Sequence, residues 1–149
     1  MMTQEEWYAA QEKIQADCPI LFRDSEAPGR RRSGKFYLEC SSGWHDLIRE
    51  CAIELERIAN AMPVPENPED DNRPRAAQIK EKFGGLRFYV YGEHTEEVDL
   101  AINRAEAVAS MTCEFCGEPG MKRGLPWIRT LCFEHFKAEE ARFAKSGRK

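Results

Sequence analysis

Four residues near the end of the chain have the types and spacing of a metal site. Two residues separate Cys113 from Cys116, fifteen separate Cys116 from Cys132, and two separate Cys132 from His135. Thiolate sulfur and imidazole nitrogen suit a tetrahedral zinc ion, and a two-residue gap lets both members of a pair reach one ion. Because four protein ligands leave no position for a substrate water, the pattern predicts one structural zinc ion per chain.

The length, net charge and hydrophobic pattern of the chain limit the kind of protein that contains this site. A length of 149 residues fits one domain, or one small domain with an appended zinc module. The net charge of −4 argues against a protein that coats nucleic acid by bulk electrostatics. The sequence shows neither a signal peptide nor an apolar run of membrane-spanning length, which favours the cytoplasm, where the other cysteines are expected to be free thiols.

The start of the chain predicts a helix and a short strand. Thr3 and Glu6 have the form of a capping box, and apolar residues at helical spacing predict an amphipathic helix over residues 3–17. Pro19 is expected to end this helix. The short apolar run at residues 20–22 is predicted to be a strand.

A basic loop follows, and it partly matches a nucleotide-binding motif. Gly29-Arg-Arg-Arg-Ser-Gly34-Lys35 fits a phosphate-binding P-loop up to the lysine. Phe36 then stands where the motif requires the hydroxyl that binds magnesium, and residues 35–40 are predicted to be a strand instead of the required helix. We therefore interpret Arg30–Lys35 as a basic loop that does not bind ATP in the P-loop manner.

The middle of the chain predicts the main core helix and an exposed loop. The helix is expected over residues 41–62, with Ser41 and Ser42 capping its start. Cys51, at the centre of its apolar face, is expected to be a packed thiol. Proline and acidic residues over 63–75 predict an exposed loop. The apolar face comprises Trp44, Leu47, Ile48, Cys51, Leu55, Ile58, Ala59 and Met62.

Residues 78–91 have the pattern of a β-hairpin with Gly84 and Gly85 as a two-residue turn. A helix over residues 76–83, ended by Gly84, is the alternative. The pairs that the hairpin implies on the core face are Phe83 with Leu86, Glu81 with Phe88, and Ile79 with Val90. The pairs implied on the outer face are Lys82 with Arg87, Lys80 with Tyr89, and Gln78 with Tyr91.

The outer face of this hairpin is predicted to be basic and aromatic, since it carries Lys80, Lys82, Arg87, Tyr89 and Tyr91. Like charges that face each other on neighbouring strands destabilise a sheet. Lys82 opposite Arg87 is therefore a poor choice for stability alone, and the face is predicted to contact an anionic partner. The alternative is that acidic residues at the start of the next helix fold over these cations.

The remainder predicts a third helix and the zinc module. Apolar residues at helical spacing predict helices over 96–111 and 132–145. A short strand is predicted between them, over 127–131. Cys116-Gly117 is typical of the turn of a zinc knuckle. A knuckle, a hairpin and a helix that carries the last two ligands form the layout of a treble-clef finger.

These elements predict an α+β fold in two parts. Residues 1–111 form a core of helices and a β-hairpin, with an exposed loop at about 63–75. Residues 112–149 form a treble-clef-like zinc module packed on that core.

Several motifs extend this interpretation beyond single residues. They are Glu39-Cys40 with Gly43-Trp44, Lys80-Glu-Lys-Phe-Gly-Gly-Leu-Arg-Phe-Tyr-Val90, Cys113-Glu-Phe-Cys-Gly117 with Pro119-Gly120, and Trp127-Ile-Arg-Thr-Leu-Cys132 with His135. In this combination the chain resembles a family of small, uncharacterised bacterial and bacteriophage proteins. The family often has Gly-Asp before the Gly-Trp pair, where this chain has Ser41-Ser42. The resemblance implies zinc binding and a phage or prophage setting, without a particular biochemical activity.

His45 and Glu81 are candidates for a ligand-binding or catalytic role. His45 lies at a predicted helix start, where backbone N–H groups favour an anion. Glu81 on the core face needs a partner, for which Arg104, His94 and Trp127 are candidates. No nucleophile elbow surrounds the serines before His45, so helix capping beside a surface histidine is the simpler interpretation.

Two functional hypotheses remain. The first is a small zinc-stabilised binding protein, of the phage accessory type, whose hairpin face holds an anionic protein, nucleotide or nucleic acid, with a protein or nucleotide favoured. The second is an enzyme that acts on a phosphorylated substrate with His45 and Glu81. A nucleic-acid-binding zinc-finger regulator also stays open, because basic residues cluster on the hairpin, at Arg30–Lys35, and at Lys122, Arg123 and Arg129.

Overall fold

The computed structural model describes residues 1–23 and 36–146. The basic loop at Arg30–Lys35 lies outside the described residues. None of the helices in the described ranges is both long and apolar enough to cross a membrane. The elements in these ranges are α1 (Gln4–Asp17), α2 (His45–Ala61), β1 (Arg75–Lys82), β2 (Gly85–Tyr91), α3 (Glu96–Ala109), β3 (Met121–Gly124), β4 (Ile128–Leu131) and α4 (Phe133–Ser146).

The predicted mixture of helices and small antiparallel hairpins is confirmed. Strands β1 and β2 form one two-stranded sheet, and β3 and β4 form the other. Helix α3 packs on β2 and on α2, while α1 packs on α2. The first sheet and helices α1–α3 thus share one core, and the second hairpin and α4 follow it in the chain.

Helix α1 begins with the predicted capping box. Thr3 Oγ1 accepts a hydrogen bond from the N–H of Glu6 at 3.1 Å, and Glu6 Oε2 accepts one from the N–H of Thr3 at 2.8 Å. The buried face of the helix carries Trp7 and Ile14, as expected, and also Gln11. A buried glutamine needs a partner, which the next segment supplies.

The strand predicted at residues 20–22 does not form. The N–H groups of Ile20 and Leu21 donate to the carboxylate of Glu56 on α2, at 3.0 and 2.8 Å, and the segment is a turn. A side chain from a distant helix therefore satisfies the backbone groups that a neighbouring strand would have bonded.

Residues 36–40 are the described part of the strand predicted at residues 35–40, and they form a single bridge at Glu39. Gln11 Oε1 accepts from the backbone N–H of residue 38 at 2.9 Å, and Gln15 Nε2 donates to the carbonyl of residue 36 at 2.9 Å. Glu39 bonds to β1, by donating to the carbonyl of residue 79 at 2.8 Å and accepting from the N–H of residue 81 at 3.0 Å. The glutamines of α1 replace a strand partner for the rest of the segment.

Helix α2 supplies the main core face, as predicted. Cys51 is buried among these apolar residues, and burial raises the pKa of its thiol to about 12, so the packed-thiol prediction is confirmed. Trp44, directly before the helix, is fully buried in a turn of 3₁₀ helix over Ser42–Trp44. The buried residues of α2 are Leu47, Ile48, Cys51, Ala52, Leu55, Ile58 and Ala59.

The first hairpin turns one residue earlier than predicted. Phe83 and Gly84 form the turn, with φ angles of 53° and 82°, where a two-residue hairpin turn needs positive values. The predicted register is therefore wrong, although the side chains within the two strands keep their predicted faces because partners shift by two residues. Phe83, which was predicted to face the core opposite Leu86, lies in the turn instead and is 68% exposed. The observed pairs include Lys82 with Gly85, Glu81 with Leu86, Lys80 with Arg87, Ile79 with Phe88, and Gln78 with Tyr89.

Contacts with the second hairpin account for this position of the turn. The carbonyl of Gly84 accepts a hydrogen bond from Thr130 Oγ1 at 2.6 Å. A Cβ at Gly84 would lie 2.9 Å from Ile128 Cγ2, so only glycine allows this approach. The turn is thus fixed by strand β4, which the local sequence pattern does not include.

Candidate functional site

The predicted metal ligands come together in the structure. Cys113, Cys116, Cys132 and His135 form a cluster in which all ligand atoms lie within 4.8 Å of one another, and no other such group occurs in the described ranges. The Sγ atoms of Cys116 and Cys132 are 3.8 Å apart. Two sulfurs at about 2.3 Å from a tetrahedral ion would be separated by about 3.8 Å. The cluster therefore has the dimensions of a four-ligand metal site.

The histidine contributes its Nδ1 atom to this cluster. His135 Nδ1 lies 3.3 Å from the Sγ of Cys132 and 3.7 Å from the Sγ of Cys113. A sulfur and a nitrogen bound to one tetrahedral ion would be about 3.6 Å apart. The two measured distances lie on either side of this value, so all four ligands fit one ion.

Two structural devices place the ligands. In the first, Gly117 has a φ angle of 84°, and its N–H donates to the carbonyl of Cys113 at 2.9 Å, which closes a tight turn around Cys116. In the second, Cys132 follows β4 directly, and His135 lies in the first turn of α4. The N–H of His135 donates to the Sγ of Cys132 at 3.4 Å, as thiolate ligands favour.

The charges of the cluster favour a cation. Burial alone would raise the pKa of Cys132, but hydrogen bonds from the backbone and ring of His135 and from neighbouring thiols lower it to about 7. Burial raises the pKa of Cys116 to about 11, and the adjacent sulfurs add to this effect. A bound divalent cation would remove the repulsion that opposes a second thiolate.

Hydrogen bonds to backbone carbonyls attach the Cys113–Gly117 turn to the start of α2. The N–H of Gly43 donates to the carbonyl of Glu114 at 2.7 Å, and Trp44 Nε1 donates to the carbonyl of Thr112 at 2.9 Å. A Cβ at Gly43 would overlap the carbonyl oxygens next to this turn. The Gly43-Trp44 pair therefore packs against the metal-binding turn and holds it on the start of α2.

Glu114 is a buried carboxylate that the sequence did not single out. Its side chain is 2% exposed and accepts from Arg129 Nη1 at 2.8 Å and from the N–H of Ser41 at 3.0 Å. Burial raises the pKa of its carboxyl group, while these two partners oppose the shift. The serines do not cap the helix as predicted, because the start of α2 has no side-chain cap and Ser41 bonds to Glu114 instead.

The outer face of the first hairpin brings its predicted cations together. Lys80 lies directly opposite Arg87, while Lys82 lies opposite Gly85 and not opposite Arg87 as predicted. No carboxylate of the described residues lies within 4.0 Å of Lys80, Lys82 or Arg87. The acids at the start of α3 therefore do not cover these cations. Like charges do face each other, although one pair differs from the prediction.

The two tyrosines of this face are half exposed. Tyr89 is 42% exposed and Tyr91 is 50% exposed. The guanidinium of Arg75 lies 4.6 Å from the centroid of the Tyr91 ring and adds a cation beside the face. Glu39, whose backbone bridges Lys80 at the edge of β1, accepts from Gln78 Nε2 at 3.2 Å.

His45 and Glu81 occupy different surroundings. His45 Nδ1 lies 2.9 Å from Asp46 Oδ1, in a cleft that Glu6 and Glu118 also line. The role of His45 in anion binding stays a prediction. The three carboxylates that line this cleft would repel an anion. Glu81 does not line this cleft in the described ranges. Its Oε2 accepts from the N–H of Gly84 at 2.7 Å. The partner of Glu81 is therefore the hairpin turn, where the sequence had suggested a side chain of Arg104, His94 or Trp127.

The outer edge of β2 is bonded to side chains of α3 and the loop before it. Glu106 Oε2 accepts from the N–H of Phe88 at 3.2 Å. The ring of His94 lies between the carbonyl of Val90, 3.2 Å from Nε2, and Asp99 Oδ1, 3.0 Å from Nδ1. Only an imidazolium donates from both ring nitrogens, so the hydrogen bond to Asp99 and that to Val90 raise the pKa of His94.

Replacing His94 with glutamine is expected to change how stability depends on pH. A raised folded-state pKa contributes stability that is present below about pH 6.5, the unfolded value, and is lost as pH rises through the folded pKa. Because His94 is half exposed, we expect a loss below about 1 kcal/mol at pH 6 and none at pH 8.5. Urea unfolding of both proteins at the two pH values measures this, and an equal difference at both would contradict it.

Comparison of the chain with protein-family models, with curated proteins and with solved structures finds no match. Fold relatives therefore add nothing to the assignment of the site.

Proposed function

We propose that this chain is a small, zinc-stabilised binding protein whose hairpin face holds an anionic partner. Zinc is the metal that three thiolates and one imidazole in a closed tetrahedral site favour most. The order of turn, β3–β4 hairpin and α4 supports a treble-clef arrangement of these ligands. The site stabilises the fold and leaves the chemistry of recognition to the hairpin.

The observation that carries this proposal is the set of cations on the outer face, Lys80, Lys82 and Arg87, which lack acidic partners among the described residues. Two cations directly opposite each other on neighbouring strands cost stability. A bound anion would offset this repulsion, and the half-exposed tyrosines beside the cations would contact the rest of the partner. We place such a protein in the cytoplasm, as a phage or prophage accessory factor.

Reversing two of these charges tests the proposal. Lys82→Glu with Arg87→Glu is expected to abolish retention on a heparin column, which serves as a polyanion probe, while the parent protein is retained despite its net charge of −4. Lys82 is exposed and Arg87 is half-buried, and neither has an acidic partner among the described residues, so the melting temperature should fall by less than about 4 °C.

Lys137→Glu with Lys145→Glu is the matched control, because it changes the net charge by the same amount on helix α4, and its retention should change little. Equal loss of retention in both double variants would assign the effect to net charge. No retention of the parent protein, or undiminished retention of the hairpin variant, would refute the proposed function.

A further inference from the structure

We propose that the partner held by the outer face of the first hairpin is single-stranded nucleic acid, with phosphates on the cations and bases stacked on the aromatic rings. This inference rests on the proposed function and assigns a chemical class to its partner.

Cations lie towards the turn of this face, and rings lie beside them further along β2. On β2, Arg87 and Tyr89 point to the outer face, and Lys80 lies opposite Arg87 on β1. Neighbouring outward side chains of one strand are about 6.8 Å apart, about twice the distance between stacked bases. A strand of nucleotides with its bases unstacked can therefore place a phosphate on a cation and a base on the adjacent ring.

Phe83 at the tip of the hairpin supplies an independent observation. Its φ angle of 53° is in the left-handed region, which favours glycine, asparagine or aspartate over a bulky residue. Its side chain is 68% exposed, so burial in the core does not account for a phenylalanine here. Lys82 Nζ lies 5.7 Å from the ring centroid. A ring held outward in a strained turn, beside a cation, is placed to stack on a base.

The surroundings of the face disfavour a free nucleotide and a nucleic-acid duplex. A free nucleotide requires a concave pocket, and Lys80, Arg87 and Tyr89 line none of the three clefts beside α1, between α2 and α3, and next to the metal-binding turn. A duplex would need the hairpin to enter its major groove. The hairpin is packed on its inner face and flanked by Glu39 and by Glu106, so it is not a free ribbon. An open sheet surface suits a flexible single strand.

The test measures fluorescence anisotropy of a labelled single strand of about 12 nucleotides, as DNA and as RNA, with a duplex of the same sequence for comparison. We expect one or both single strands to bind more tightly than the duplex at the same salt concentration. Tyr89→Leu should weaken single-strand binding about 5- to 150-fold, while Tyr89→Phe, which keeps the ring, should bind like the parent. Lys82→Ala should make the salt dependence shallower by about 0.7 in log–log slope.

Retention on heparin separates this inference from the proposed function. Tyr89→Leu should still be retained, because the heparin probe has no bases to stack. If the parent is retained on heparin but binds neither single strand, or if Tyr89→Leu binds the single strands as tightly as the parent, the inference fails and the proposed function stands. Tighter binding of polyglutamate than of either single strand would assign the face to an acidic protein and would also overturn the inference.

Discussion

Replacing Cys116 with alanine is expected to unfold the Cys113–Ser146 segment and to lower the melting temperature of the chain by more than about 10 °C. Structural zinc contributes about 10–16 kcal/mol of apparent binding free energy in small zinc-binding peptides at neutral pH, and that energy counts as folding energy. The segment has little apolar core of its own, since Leu131 and Cys113 are its buried apolar residues in the described range. Loss of even several kcal/mol would produce a shift of this size.

Metal analysis and calorimetry measure this effect. Protein purified without chelators should contain one zinc ion per chain, and the alanine variant should contain much less. Addition of a strong chelator should produce the same loss of structure in the parent protein. Cys18→Ala is the control, because Cys18 is a buried thiol outside the cluster and its loss should leave the zinc content unchanged.

Two results would contradict this expectation. One is the absence of zinc from the parent protein, which would refute the assignment of the metal. The other is a Cys116→Ala variant that melts at the parent temperature, since loss of one ligand from a structural site should release binding energy from folding. The Cys18 variant should lose only the packing of one small side chain, which costs about 1–2 kcal/mol.

The metal ligands could be predicted from the sequence because the cluster is built from local spacings. Each pair of ligands is three positions apart, and a single turn of chain brings both members of a pair to one point. The faces of α2 and of the first hairpin were predictable for a similar reason. Periods of 3.6 and 2 depend on neighbouring residues alone, so the error in the turn position left the strand side chains of the hairpin on their predicted faces and misplaced only the turn residue Phe83.

The features that the sequence did not predict depend on bonds between distant parts of the chain. Glu56 of α2 bonds the backbone of residues 20 and 21, and Gln11 of α1 bonds that of residue 38. Such bonds convert two predicted strands into irregular segments. Thr130 fixes the hairpin turn, and Glu114 accepts a hydrogen bond from the backbone N–H of Ser41, which was predicted to cap the helix. No local period encodes these contacts, although a glutamine on the apolar face of α1 is a signal that a partner is required.

The same dependence on distant contacts predicts a large effect at Gly43. Its φ angle lies outside the left-handed region, so the backbone conformation would accept alanine. The added Cβ would, however, overlap the carbonyl oxygens of Cys113 and Glu114, which are backbone atoms that cannot rotate away. Gly43→Ala must therefore displace either the start of α2 or the metal-binding turn. We expect a loss of about 3 kcal/mol or more in the free energy of unfolding, at the upper end of overpacking effects, together with weaker zinc binding.

Gly124→Ala is the matched control for this substitution. Gly124 lies at the end of β3, and a Cβ added there meets nothing within 4 Å. The same chemical change should therefore alter the free energy of unfolding by less than about 0.5 kcal/mol. Denaturant unfolding of the zinc-loaded proteins, with competition against a metal-binding dye for zinc affinity, compares the two. If both variants lose the same stability and hold zinc equally well, the close packing of Gly43 against the metal-binding turn does not stabilise the site. If only Gly43→Ala loses stability and zinc affinity, the start of α2 and the metal site fold as one unit.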